Sequence, residues 1–338
     1  MEAARQGTQA DPRARTLPIR LDQDRLYIGN HLSISFQRTV RIPDDGGSYP
    51  LPPGLGQFPI RRVQDYAERV PESWRARGGV FLPMYQREAM WLSCSGGWPP
   101  VALKVGIGKV NAVSGKAWDE TLDGRDQDYL VCPDQPWLDG INSGEGTIRQ
   151  FVAMPLGMGY TVEGQLTGKE TVGGLQLMAV DAHPDRLPTR PEVASYDMDV
   201  MACMAPAAEM GLGAGGQMEQ EIYPDEYGVD TWDQQRSGRV FVHIADSMTW
   251  REITGDEPPP TPVSAASYAE HGLPWFSRYD ERRGDLARSD ELGRVKSVKQ
   301  MDLSKGFGDQ QDDRPVEIPE AQVVELGRPD GTVSGGEW

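Results

Sequence analysis

The segment from Leu32 to Ile42 constrains the fold of this chain more than any other. Leu32, Ile34, Phe36, Val40 and Ile42 alternate with His31, Ser33, Ser35, Gln37, Thr39 and Arg41. Successive side chains on a strand point to opposite faces, so a period of two gives one apolar face and one wet face. Such a strand is expected in an antiparallel sheet packed on one side only. The pattern recurs. Val101, Leu103, Val105 and Ile107 share a face, as do Val240, Val242 and Ile244. A further strand is expected over residues 86–94, and a short helix over 62–72, where Val63, Tyr66, Ala67 and Val70 recur at helical spacing. Tyr160, Val162 and Leu166 alternate with polar residues, and so do Leu175, Leu177 and Ala179 with Gln176 and Met178. Turn residues from Gly168 to Gly174 lie between these two runs, which together predict a hairpin with a longer loop.

Turn-rich loops separate these segments, where a doubly wound fold would place helices of about 10–15 residues. The expected class is therefore all-β or β-dominated with a minor α part, an antiparallel sandwich or barrel with short helices and disordered ends. The 39 glycines and 27 prolines fit a chain of many turns. Composition divides it as follows. Residues 1–20 read as a disordered tail, 21–180 as a β-rich domain, and 192–255 as a second β-containing region packed on the first. Residues 256–303 read as a linker and charged helices, the linker marked by Pro258, Pro259 and Pro260. From 304 to 338 the chain is acidic and poor in large apolar residues, so a mostly disordered tail is expected, with any ordered piece within 316–326.

The formal net charge of −17 disfavours nucleic acid and anionic membrane surfaces as partners, since both attract Lys and Arg. Cys94, Cys132 and Cys203 are an odd number, widely spaced and without a C-x-x-C pair. Neither a disulfide framework nor a thiolate zinc site is signalled, and buried free thiols are expected. The first residues, MEAARQGTQADPRARTLP, contain no apolar core of a secretory signal, and no run approaches the ~18 apolar residues of a membrane span. A soluble, cytoplasmic protein is the expectation.

Gly211 to Gly216 formally satisfies G-x-G-x-x-G, but no strand pattern precedes it and only a short run separates it from Pro224, so a flexible glycine-rich loop is expected. A phosphate loop ending at Lys116 fails, because Val110 and Ala117 stand where glycine and a hydroxyl are needed. No G-x-S-x-G elbow is present, and His31, His183, His243 and His271 form no H-x-x-x-H pair. No cofactor is expected and no catalytic residue is assigned.

The chemically densest segment runs from Asp128 to Gly146. Trp137, Asp134, Asp139, Asn142 and Glu145 combine an aromatic plate with carboxylates and an amide, the groups that stack on a sugar ring and bond its hydroxyls. The same oxygens suit Ca²⁺, leaving a metal undecided, and a carboxylate pair among Asp134, Asp139 and Glu145 suits glycoside hydrolysis. The plainer reading has Trp137 capping the core while Asp and Asn shape turns. A second acidic loop, residues 225–233, repeats this composition with Trp232 and reads as turn chemistry.

Residues 149–163 (RQFVAMPLGMGYTVE) and 27–36 (YIGNHLSISF) resemble a bacterial hypothetical-protein family over roughly residues 20–300. The resemblance implies no activity, ligand or catalytic residue. The leading functional expectation is a non-catalytic binding or self-assembly module, a homo-oligomer or the holder of a protein partner, using exposed strand edges. The alternatives are a hydrolase acting on carbohydrate through a carboxylate pair and a carbohydrate-binding module.

Overall fold

The computed structural model describes residues 16–144, 146–187, 210–277, 284–308 and 310–325. The strand Leu32–Thr39 pairs antiparallel with Ala89–Gly96 along its whole length, from Leu32 opposite Gly96 to Thr39 opposite Ala89. Ala89 and Met90 continue the ladder to Val152 and Phe151 on the strand Thr147–Pro155, which pairs in turn with Met210–Glu219. A second group sets Leu175–Ala182 between Val101–Ile107 and the long strand Trp232–Ala245. Met210 opposite Ile244 joins the two groups. The fold is strand-dominated with a large, mostly antiparallel sheet and few short helices. Strands before residue 182 and after residue 210 pair directly, so the sheet is continuous across that point in sequence.

The apolar face of the Leu32–Ile42 segment is buried as its period requires. The polar face is not wet. Ser35, Gln37, Thr39 and Arg41 are buried too, and so is Arg38, on the apolar side. Val101–Ile107 and Leu175–Ala182 are likewise buried throughout. The expectation of a sheet packed on one side only is thus corrected: it is covered on both. The polar side chains survive burial because the covering chain supplies their partners. Thr39 Oγ1 donates to the Pro53 carbonyl at 2.8 Å, and Arg38 donates to Glu88 at 2.6 Å and to the Pro260 carbonyl at 2.8 Å. Gln150 bridges the Ile42 amide and the Val40 carbonyl. Lys104 is paired with Asp128 at 2.6 Å and Asp119 at 2.8 Å.

The Pro258–Pro260 run lies against the body, its carbonyls taken by Tyr85 and Arg38. Asp302 accepts from Tyr160 at 2.6 Å and from Arg87 at 2.5 Å, while Asp313 pairs with Arg41. Val323–Glu325 runs parallel to Trp275–Ser277.

Three local expectations are corrected. Residues 162–167 form a helix, not the first strand of a hairpin. Val162 and Leu166 are four apart, which satisfies both periods, and the caps decide: the Thr161 side chain accepts from the Gly164 amide, and Gly168 ends the helix at φ 71°. The helix expected over 62–72 is a 3₁₀ turn, Val63–Tyr66, followed by a helix at Glu72–Arg77 that starts after Pro71. Residues 211–216 are not a flexible loop but part of the buried strand Met210–Glu219. Glycine is needed there for close approach. A Cβ on Gly216 would lie 2.2 Å from the Pro43 carbonyl oxygen, and one on Gly215 2.6 Å from Val152.

Candidate functional site

Trp137 and Asp139 come together, facing inward. Trp137 is half-buried against the main core, and its side chain hydrogen-bonds the Asp139 carboxylate. Asp139 also accepts from Gln220 Nε2 at 2.8 Å, while its amide donates to Gln220 Oε1. Burial pushes the Asp139 carboxyl up to about 7, against the opposing hydrogen bonds from Gln220 and Trp137. Asn142 is buried and donates to the Ala287 carbonyl at 3.1 Å. Asp134 is held elsewhere, by the Tyr227 hydroxyl at 3.1 Å. Glu145 lies outside the described residues.

The second acidic loop explains these bonds. Asp225 accepts from the Tyr129 hydroxyl at 2.6 Å and the Trp232 indole at 2.9 Å, and Gln135 Oε1 accepts from the Tyr223 amide. Tyr129, Val131 and Trp232 share a small apolar cluster with Tyr227 packed on it. The two loops singled out by composition are therefore each other's partners. Among the described residues, no group of three or more His, Cys, Asp or Glu side chains is placed to hold a metal ion. Cys94 and Cys132 are buried and free; Cys203 lies outside the described residues. No helix among them is long and apolar enough to cross a membrane.

An open groove lies elsewhere, and sequence reasoning missed it. A groove of about 600 Å³ is lined by Arg20, Arg62, Arg77 and Arg239, with Asp22 the single acid among its described lining residues. Four elements deliver these arginines. Arg20 belongs to the strand Ile19–Asp22, which turns back through Gln23 and Asp24, both at positive φ, to pair with Arg25–Ile28. Arg62 precedes the 3₁₀ turn, Arg77 ends the helix Glu72–Arg77, and Arg239 sits within the long strand. Arg20 lies over the Tyr27 ring at 5.1 Å and Arg239 over Phe241 at 5.3 Å, so aromatic faces orient both guanidinium groups. Arg77 donates to the Thr171 carbonyl at 3.1 Å. Arg62 pairs with Asp65 and Arg239 with Glu120, all four side chains at least 40% exposed.

Beneath the groove, His243 is buried with its ring stacked on Trp74 at 4.9 Å and on Phe241 at 6.1 Å. Its Nε2 lies 2.9 Å from the Gly78 carbonyl oxygen. Burial lowers its pKa to about 4, against the Gly78 hydrogen bond and with help from Arg77. His243 is thus a neutral ring packed against Phe241, one of the groove's lining residues. No sequence signal joins residues 20, 62, 77 and 239, and the net charge of −17 points the other way.

Compared with known proteins, the chain matches no family model, no curated protein and no solved structure.

Proposed function

We propose that this protein is a non-catalytic binding module whose recognition site is the arginine groove and whose partner presents clustered negative charge. One observation carries the reading: four arginines, two of them held in exposed pairs with Asp65 and Glu120, line one groove whose described lining holds a single carboxylate, in a chain of net charge −17. Guanidinium groups match carboxylate and phosphate in planar, two-point fashion. The exposed pairs of Arg62 with Asp65 and Arg239 with Glu120 are of the weak surface kind, so a ligand exchanges them at little cost. Among the described residues the groove lining holds no histidine, cysteine or serine beside Asp22, which favours binding over hydrolysis. Asp134 and Asp139, two of the three carboxylates from which a carbohydrate hydrolase would draw its pair, are engaged by different partners, and Glu145 lies outside the described residues. The acidic remainder of the chain disfavours a long polyanion such as nucleic acid and favours a short acidic stretch of protein.

The test is fluorescence anisotropy of a labelled octaglutamate peptide against the full chain at low and moderate salt. Binding that weakens with salt and falls at least tenfold in the double variant Arg20→Glu, Arg239→Glu supports the reading. Equal binding by the variant, or none by either, overturns it.

A further inference from the structure

The groove lies at a break in a sheet edge. The Leu17 amide donates to the Ser237 carbonyl at 2.9 Å, and Thr16 bridges Ser237 in parallel sense. Further along the same edge of the long strand, Val242 pairs in parallel with Val80. Between these contacts, at Arg239, the described residues provide no neighbour on that side. Gly79 lies against the Phe241 backbone, so at about 3.3 Å per residue the break from Ser237 to Phe241 spans about 13 Å, room for about three residues of extended chain.

Backbone polarity follows from the register. Residues along an antiparallel strand alternate between bonding the partner and facing away from it. The Gly29 amide donates to the Pro18 carbonyl, so Pro18, Arg20 and Asp22 bond the Arg25–Ile28 side, while Ile19 and Leu21 turn their amides and carbonyls outward. Ser237 already turns its carbonyl away from Leu175–Ala182 to meet Leu17, so Arg239, two residues on, turns its amide and carbonyl the same way. Ile19, Leu21 and Arg239 all line the groove. The strand Ile19–Asp22 and the long strand therefore start side by side at Leu17 and then part. Their unsatisfied edges bound one groove, with arginines at its rim.

We infer that an extended acidic peptide of a partner protein inserts as a strand into this break, its backbone bonding Ile19, Leu21 and Arg239 and its alternate carboxylates meeting Arg20, Arg62, Arg77 and Arg239. The inference rests on the anion-binding reading above and adds the mode of recognition. Strand addition supplies affinity through main-chain bonds and specificity through alternate side chains, which matches a groove offering both edges and charges. The charge favours the class of occupant: four arginines line the groove, and the acids that pair with Arg62 and Arg239 are exposed and exchangeable, so an acidic segment fits best.

The experiment compares three labelled probes on the full chain: an octapeptide alternating glutamate and valine, the same peptide N-methylated at alternate residues, and an eight-nucleotide single strand of thymidines. N-methylation keeps every side chain and charge while removing the amides a strand must donate, and it leaves the protein untouched. Strand insertion requires at least a tenfold loss of affinity on N-methylation, with slowed hydrogen exchange at the Ile19 and Leu21 amides when the unmodified peptide is bound. Equal binding of both peptides overturns strand insertion and leaves the anion-binding groove standing. No binding by either peptide up to millimolar concentration overturns both readings. Tighter binding of the thymidine strand than of either peptide overturns the peptide assignment.

Discussion

Arg41 and Asp313, 272 residues apart in sequence, form an ion pair in the interior. Burial lowers the guanidinium pKa and raises that of the carboxyl, the mark of two charges removed from water and dependent on each other. Asp313→Ala leaves the buried Arg41 guanidinium with only the half-exposed Asp312 at 3.7 Å, also removes a partner of Arg87, and is expected to cost about 3–5 kcal/mol in urea unfolding. The double variant Arg41→Met, Asp313→Leu removes both charges and is expected to recover most of that loss. A single-variant cost under 1 kcal/mol would show that water reaches the pair.

That pair also shows what composition alone misses. Asp313 reads as one more acid in a stretch poor in apolar residues, and nothing local marks it as the partner of Arg41. The strands at Leu32–Thr39, Val101–Ile107 and Leu175–Ala182 were legible because a period of two is a local property. Burial of their second faces was not, since the covering groups, Pro53 over Thr39 and Asp128 over Lys104, lie outside the strands and their local period. The β class followed from the same local signal. The two acidic loops are dense in sequence, and part of that density is spent on bonds between them, Tyr129 with Asp225 and Tyr227 with Asp134. The groove was invisible for the converse reason: its arginines are unremarkable singly and meet only through topology.

Asp139 gives a pH signature. Its carboxyl is raised by burial to about 7, so between about pH 4 and 7 the folded state holds a proton that the unfolded state has released. Its contribution is present below the unfolded value and is lost as pH rises to about 7. Asp139→Asn keeps an acceptor for Gln220 without the ionisation. The variant is expected to gain stability over wild type on going from pH 5 to pH 8, by about 2.6 kcal/mol at most. Parallel unfolding curves at the two pH values check this, and an unchanged difference between them defeats it.

His243 acts with the opposite sign. Burial depresses its pKa to about 4, so below the ordinary value of about 6.5 the unfolded state takes up a proton that the folded state refuses. Its stabilising share is complete above pH 6.5 and is lost as pH falls toward 4, up to about 3 kcal/mol. Because Asp139 and His243 oppose each other over this range, the wild-type profile is flattened and the variants expose the slopes. His243→Phe pays a constant cost for the Gly78 carbonyl it abandons but loses the acid-side decline. An NMR titration placing the imidazole near its ordinary value would remove the basis for this prediction.

The last prediction concerns the strand Met210–Glu219. A side chain at Gly216 meets the Pro43 carbonyl oxygen at 2.2 Å, backbone against backbone, with no flexible group free to yield. Gly216→Ala must push apart the segment after Ile42 and the strand that pairs with Thr147–Pro155. The expected cost is about 1–3 kcal/mol, the usual range for forced overpacking. Gly228→Ala separates steric from conformational effects: Gly228 has open space around its missing Cβ but sits at φ 82°, so it pays for backbone strain alone. The Gly216 variant is expected to show perturbed amide shifts at both Ile42 and Val152, across two neighbouring elements, while the Gly228 variant perturbs only its own turn. Wild-type stability in Gly216→Ala would mean that the Ile42–Asp44 segment is free to move away, and that the buried polar face of Leu32–Thr39 is held less tightly than its hydrogen bonds indicate.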